Sequence, residues 1–557
     1  MTPVATLIHR ISIVPVFVIC PDVESRGVVG SLDAGASAET ALEGWLLDAA
    51  GRGNPFTSID RRRDDGRAYT TGNDVRALVH GSAYFADLLH TLQATVAGDL
   101  VMFTDWRGDP SERLDGAGTE VSRVLCAAAS RGVIVKGLVW RSHWDKLAFS
   151  AEENDHLGDD IEAAGGECLR DMRVRTGGSH HQKIVVVRHP GRPELDVAYV
   201  GGIDLCHSRA DDERHHGDDQ PLRISQRYGD RPPWHDVQLA IRGPAVGDVE
   251  ASFRERWTDP SPLTRSPLRR VRDLVAREDT KADPMPAQAS DPGRAGSRVV
   301  QVLRTYPYRR MGFPFAPDGE RSIARAYLRA LDRVESLIYV EDQYLWSVEI
   351  ATRFADVLAR RPELHMIGVV PMHPDQTGLS GAAQDLGRAN ALRILHRAAP
   401  DRFAVYGIEN ALGTPIYVHA KACVMDDVWT CVGSDNVNLR SWTHDSELSC
   451  AVMDEDGGTD FGRALRLQLH REHLQRSNGD DADLVPAAGA FAAYAQAAAR
   501  LDAWYAAGRV GPRPPGRLRR YTVPHIGAAT AAFAKPIYHL IADPDGRPRR
   551  LRRAREF

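Results

Sequence analysis

Two short phrases in the chain set an imidazole beside an ammonium group. The first reads Ser179-His180-His181-Gln182-Lys183-Ile184-Val185-Val186-Val187. The second reads Tyr417-Val418-His419-Ala420-Lys421-Ala422-Cys423-Val424-Met425-Asp426. Each is His-x-Lys running into β-branched or apolar residues. On a strand, residues i and i+2 share a face, so each imidazole is predicted to lie beside its lysine. Two neutral bases next to fixed positive charge suit an anionic phosphodiester. Lys183 and Lys421 would neutralise the nonbridging oxygens while the imidazoles exchange the bond. One histidine attacks phosphorus; the other protonates the leaving alkoxide and then activates water. This chemistry requires no metal and no cofactor, and two lysines in one site repel a divalent cation.

The two phrases sit in halves that match. Leu100 to Trp106 aligns without a break on Leu337 to Gln343, and 76 residues separate Asp105 from His181 where 77 separate Asp342 from His419. Val200-Gly201-Gly202-Ile203-Asp204 answers Val432-Gly433-Ser434-Asp435-Asn436. His235-Asp236-Val237 answers Ser446-Glu447-Leu448. Asp236 and Glu447 are expected to bind the far nitrogens of the imidazoles and fix their tautomers. Such self-similarity implies an internal duplication. Helical periodicity over 81–97 and 321–334, each leading into an apolar strand, predicts an α/β fold. The expected architecture is two duplicated α/β sandwich halves, each a mixed, mostly parallel sheet flanked by helices, joined pseudo-symmetrically around one cleft.

The constellation resembles the phospholipase D superfamily, whose signature is H-x-K-x4-D followed by GS or GG and an Asn. The second copy is complete in His419, Lys421, Asp426, Gly433, Ser434 and Asn436. Within that superfamily, His180-His181-Gln182-Lys183, Gly201-Gly202-Ile203-Asp204, Trp234-His235-Asp236-Val237 and Ile338-Tyr339-Val340-Glu341-Asp342-Gln343-Tyr344 are worded like true phospholipases D. The resemblance implies hydrolysis of phosphatidylcholine-like glycerophospholipids to phosphatidate and head alcohol, with transfer to other alcohols as a second outcome. It makes His181 the nucleophile and His419 the general acid, in a catalytic set with Lys183, Lys421, Asp426, Asp236 and Glu447. Gly202, Asp204, Ser434 and Asn436 would meet the substrate. A phosphatidyltransferase making phosphatidylserine or cardiolipin, and a superfamily nuclease, are the alternatives. The first copy departs at Arg188, where the motif Asp should stand. Asp196, beyond a hairpin insertion, is its candidate structural substitute, and an inactive pair is the reading Arg188 raises. Asp204 brings a negative charge toward a phosphate site and is tolerable only if paired.

The remaining sequence bounds this reading. The net charge of −5 argues against a nucleic-acid partner. The expected partners are a phospholipid surface, engaged peripherally by a monomer, and water or an alcohol as acceptor. Residues 11–20 are too short to span a bilayer and lack a leader's cleavage site, which points to a cytoplasmic or peripheral-membrane protein. Seven scattered cysteines are neither a zinc framework nor a disulfide scaffold. The predicted organisation is an irregular segment over 1–65 with 61–65 as a solvated loop, a first half over 66–257 and a Pro-rich linker over 258–296. A second half over 297–455 and a helical extension with a basic tail over 456–557 complete it. The segment before the repeat is too short for a separate lipid-targeting domain, leaving recruitment to the catalytic halves or the tail. The His- and Asp-rich stretch 206–233 reads as a polar loop near the entrance rather than a metal site, and Trp106, Trp140, Trp234 and Trp346 as core or cleft wall.

Overall fold

The computed structural model describes residues 42–63, 65–142, 151–276 and 278–557. The apolar stretch 11–20 and Cys20 lie outside them. The first half supplies β1 (Thr70–Val79), β2 (Leu100–Asp105), β3 (Ile134–Trp140), β4 (Glu167–Asp171), β5 (Ile184–Arg188), β6 (Val197–Gly201), β7 (Trp234–His235) and β8 (Val237–Arg242). The second supplies β9 (Arg298–Tyr306), β10 (Glu320–Arg321), β11 (Leu337–Asp342), β12 (His365–Val369) and β13 (Phe403–Ile408). It continues through β14 (Tyr417–Val418), β15 (Lys421–Met425), β16 (Trp429–Gly433), β17 (Glu447–Asp454) and β18 (Leu518–Arg520).

One 16-stranded sheet runs in the order β18-β13-β12-β11-β15-β16-β17-β9-β1-β8-β6-β5-β2-β3-β4, with β10 paired to β9. From the β9–β1 join outward, the two halves repeat the same strand order, which is the duplication written in three dimensions. The join is antiparallel, with Thr70 opposite Val300 and Asn73 opposite Arg298. The Asn73 amide spans its irregular register, donating to the carbonyls of Thr70 and Arg298 at 3.1 Å each.

The mixed sheet expected from the sequence is present, but its parallel pairs are confined to β2–β3–β4 and β11–β12–β13. Every other pairing in it is antiparallel. The reason is local: each His-x-Lys strand turns back through a short hairpin, β5–β6 or β15–β16, and a hairpin can only build antiparallel neighbours. The run Ile184-Val185-Val186-Val187 is buried on both faces, which is why it is apolar without alternation. One apolar layer, including Met102, Val186, Leu239, Val302 and Val424, lies under both halves. The opposite faces carry separate cores, the first covered by the helix Gly81–Gln93 through Tyr84, Phe85, Leu88 and Leu92. The helix Ala487–Ala506 buries Ala490, Tyr494, Ala497 and Leu501.

Three sequence expectations change at the margins. The segment before residue 66 is not irregular throughout: helices form at Ala49–Arg52 and Ser58–Arg61. Arg52 is buried there, bonded to Asp60 and to the Val302 carbonyl at 2.7 Å each. In the run expected to be a solvated loop, Arg63 pairs with Asp248 at 2.7 Å and Arg62 with Asp291. The basic tail folds back, with Arg547 bonding Glu349 at 2.7 Å and Phe557 buried against Trp442. Within the linker, a helix spans Pro267–Ala276. Among the described residues no helix is long and apolar enough to cross a membrane, and the six described cysteines are free thiols.

Candidate active site

Each His-x-Lys phrase enters its strand from a lead-in that pairs with the other half. Tyr417 and Val418 of β14 run parallel to Trp234 and His235 of β7, and His180 bridges in parallel to Ser446. The His419 N–H donates to the His235 carbonyl at 2.8 Å, and the His181 N–H to the Ser446 carbonyl at 2.9 Å. These crossed ladders place each imidazole against the carboxylate of the opposite half. His181 Nδ1 lies 2.9 Å from Glu447 Oε2, and His419 Nδ1 lies 2.6 Å from Asp236 Oδ2. Neither half can assemble its own pair, so the two halves build one site. Both Nε2 atoms are thereby left for a ligand.

The lysines flank these pairs. Lys183 donates to the His181 carbonyl at 3.0 Å and lies 3.3 Å from Asp204. Lys421 donates to the Gln343 side chain at 3.1 Å and to the His419 carbonyl. Asp204 satisfies the condition set for it, since Arg209 also reaches it at 3.3 Å. Gly202 and Ser434, equivalent in the repeat, serve the carboxylates differently. Ser434 donates its hydroxyl to Glu447 at 2.6 Å, whereas a Cβ on Gly202 would stand 2.3 Å from Asp236 Oδ1. The side-chain oxygen of Asn436 is buried with no hydrogen-bond partner among the described residues, leaving bonding capacity for a ligand. Trp106 stands edge-on to His181 at 6.3 Å and Trp234 lies 5.2 Å from His419, so these two are cleft wall. Trp140 stacks behind Trp106, and Trp346 belongs to a separate cluster with Tyr538.

Burial, then the charges of Lys183 and Lys421, holds His181 well below the usual imidazole range. Burial, then Lys421 and Arg209, does the same to His419. Burial pushes Glu447 up to about 8 and Lys421 down to about 8. The arrangement sets two neutral imidazoles, each held by a carboxylate, beside two lysines in a largely desolvated site, suited to an anion whose own charge favours the protonated imidazole.

The motif aspartate stands elsewhere. Asp426 accepts from the backbone of Glu335, Ser336 and Leu337 at 2.7–2.9 Å and from the Ser336 hydroxyl at 2.7 Å. Five residues beyond Lys421 on an extended strand, it lies roughly 17 Å along the chain from the lysine. It is therefore a clamp on the turn into β11 and not part of the catalytic set in which the sequence pattern placed it. Arg188 occupies the same position in the first half. It pairs with Asp196 at 2.8 Å and Glu250 at 2.6 Å, while Asp196 accepts the His189 N–H at 2.6 Å. The departure at Arg188 thus leaves the cleft untouched.

Several residues were missed or misplaced by sequence reasoning. Asp105 and Asp342, used only as rulers, accept the N–H groups of Leu205 and Val437 at 2.8 Å and so fix the turns after Gly202 and Ser434. Their matched spacing was the available signal. Asp445 orders the approach to His181 by accepting from Ser179 N at 2.9 Å and Arg440 at 2.7 Å. His180 is fully buried and bonds Gln182 at 3.2 Å. The 206–233 stretch is more than an entrance loop: Asp211 accepts the Trp234 N–H at 2.7 Å, and His215 is carried into the interior.

A family model described as Phospholipase D matches residues 159–386. Phospholipase D alpha 2 of Oryza sativa subsp. japonica is 27% identical over 484 residues, covering 65% of this chain and 58% of the rice protein. Phospholipase D alpha 1 of Cynara cardunculus is 25% identical over 489 residues, covering 66% of this chain and 60% of that protein. The chain thus spans about three fifths of the length of these curated relatives. Among solved structures, phosphatidylserine synthase of Haemophilus influenzae Rd KW20 aligns with a TM-score of 0.50 at 14% identity, covering 72% of this chain and 86% of that one, a likeness of fold. Crossed His–carboxylate pairs on a duplicated α/β sheet, the family match over residues 159–386 and these relatives point the same way: the chain is similar to proteins of the phospholipase D superfamily.

Proposed function

We propose that this protein is a phospholipase D-type phosphodiesterase acting on phosphatidylcholine-like glycerophospholipids through a phosphohistidine. The observation that carries the reading is the crossed pair of imidazoles, each held by a carboxylate of the other half and flanked by Lys183 and Lys421. His181, with Glu447 accepting its Nδ1 proton, attacks through Nε2, and a P–N bond forms as the P–O bond to the head alcohol breaks. His419 gives its Nε2 proton to that alkoxide. It then takes a proton from water, whose oxygen displaces His181 to release phosphatidate. Lys183, Lys421 and Asn436 carry the nonbridging oxygens. An alcohol in place of water gives the transferred phosphatidyl ester by the same steps. The rice and artichoke relatives, named phospholipases D alpha, support the lipid substrate over a nucleic-acid diester.

The test is release of head alcohol from phosphatidylcholine vesicles, with serine, glycerol and ethanol offered as competing acceptors. The expected result is activity lost in His181→Ala and in His419→Ala. Undiminished turnover in either variant, or His419-dependent cleavage of nucleic acid with none of lipid, would overturn the reading.

A further inference from the structure

Behind Asp236 lies a second cluster of histidines that the proposed reaction does not use. His80 joins β1 to the helix Gly81–Gln93, His215 comes from the 206–233 loop, His235 lies in β7, and Glu472 projects from the helix Asp460–Leu474, which follows and packs against β17 of the second half. One ligand atom from each lies within 4.8 Å of all the others. Glu472 Oε2 is 2.8 Å from His80 Nε2, and Oε1 is 2.8 Å from His215 Nε2 and 3.7 Å from His235 Nδ1. All three imidazoles are buried.

We propose that His80, His215, His235 and Glu472 form a binding site for one divalent transition-metal ion, Zn²⁺ foremost, that ties the two halves together beside the catalytic Asp236.

The hydrogen-bond accounting favours an ion. Both nitrogens of His215 face acceptors, Nε2 the Glu472 carboxylate and Nδ1 the Trp234 carbonyl at 2.9 Å. A neutral imidazole has only one N–H and can serve only one of these two acceptors. With an ion, Nδ1–H donates to the carbonyl and the Nε2 lone pair turns to the metal. His235 is prepared in the same way. Its Nε2 lies 2.5 Å from Glu341 Oε2, and Glu341 is also held by His473 at 2.7 Å. Its Nδ1, buried with no hydrogen-bond partner among the described residues, lies 3.7 Å from Glu472 Oε1. A ligating ring whose other nitrogen donates to a carboxylate or carbonyl is the outer-shell pattern of metal histidines. Three imidazoles and one carboxylate suit tetrahedral Zn²⁺, with bonds of about 2.0–2.2 Å and ligand atoms roughly 3.3 Å apart. The present separations, 2.8–3.7 Å to the Glu472 oxygens and no more than 4.8 Å across the set, bracket that value.

The placement gives the ion a role. His80 N–H donates to the Asp236 carbonyl at 2.9 Å, and the His235 carbonyl receives His419 N–H. An ion fixing His80 and His235 therefore positions the carboxylate that holds His419. It acts as a brace, not as a Lewis acid on the substrate.

The full chain, produced with Zn²⁺ present and dialysed against metal-free buffer, is expected to retain one zinc per chain by elemental mass spectrometry. Co²⁺ in its place should give the intense visible absorption of a tetrahedral centre, and chelator treatment should lower the melting temperature. The double variant His215→Ala/Glu472→Gln should lose the metal, while His539→Ala, at an exposed histidine, should keep it. A folded wild-type chain that retains no metal overturns the proposal, as does undiminished metal in the double variant. Should that variant fail to fold, the wild-type stoichiometry and the cobalt spectrum decide alone: weak octahedral bands would refute the site.

Discussion

Replacing Glu447 by Gln tests the crossed arrangement most directly. The substitution keeps the volume and one oxygen for Ser434 while removing the charge 2.9 Å from His181 Nδ1. Phosphorylation at Nε2 leaves the His181 ring cationic, so the carboxylate matters most as the new bond forms. Two unit charges at about 4 Å with an effective dielectric near 20 interact by about 4 kcal/mol. A buried charge-assisted hydrogen bond weakened to a neutral one accounts for roughly 1–2 kcal/mol in the ground state. The difference, about 2–3 kcal/mol, predicts a fall in kcat of roughly 10²-fold. The assay is single-turnover cleavage of a lipid analogue with an activated phenolate leaving group, with acid-quenched chains analysed for phosphohistidine. Glu447→Gln should form the intermediate slowly and never accumulate it. Asp236→Asn, which of the two histidines touches only His419, should form it at nearly the normal rate with this leaving group and then accumulate it, because the water step needs a base. A drop of less than tenfold in Glu447→Gln, or accumulation in that variant rather than in Asp236→Asn, would refute the assignment of carboxylates to histidines.

Other outcomes follow from the same contacts. While the His181–Glu447 pair holds an extra proton, Nε2 carries hydrogen and cannot attack. With Glu447 raised to about 8, kcat/KM should climb as pH rises toward that value. Lys421, lowered to about 8, loses its charge above it and sets the falling limb, so the profile should be a bell that Lys421→Arg widens only on the alkaline side. Asp426→Ala should cost about 1–3 kcal/mol in denaturant unfolding, through the orphaned N–H groups of Glu335, Ser336 and Leu337, with kcat per folded molecule unchanged. Arg188→Asp, which restores the motif letter, should destabilise by roughly 3–5 kcal/mol, because it leaves Glu250 and Asp196 buried beside a third carboxylate. A gain of activity in that variant would put the motif aspartate back in the mechanism.

Much of this protein was determined by its sequence alone. The two His-x-Lys phrases, the even spacing of Asp105 and Asp342 from them, and the paired Gly-Gly and Gly-Ser turns define a duplication, because a repeated sequence must fold to a repeated unit. Lys183 and Lys421 declared an anionic ligand by charge alone. The sequence could not say which carboxylate serves which histidine. Asp236 follows His181 in its own half, yet it holds His419, because strand pairing between β7 and β14 is made by chain segments far apart in sequence. Nor could it separate Asp426 from the proposed catalytic residues it travels with. A strand carries its two ends to opposite edges of a sheet, so a fixed spacing in sequence is a fixed distance in space. His80, His215, His235 and Glu472 are scattered over nearly four hundred residues with no ligand spacing to betray them. Only the packing of a loop, a strand end and the helix after β17 brings their polar atoms together.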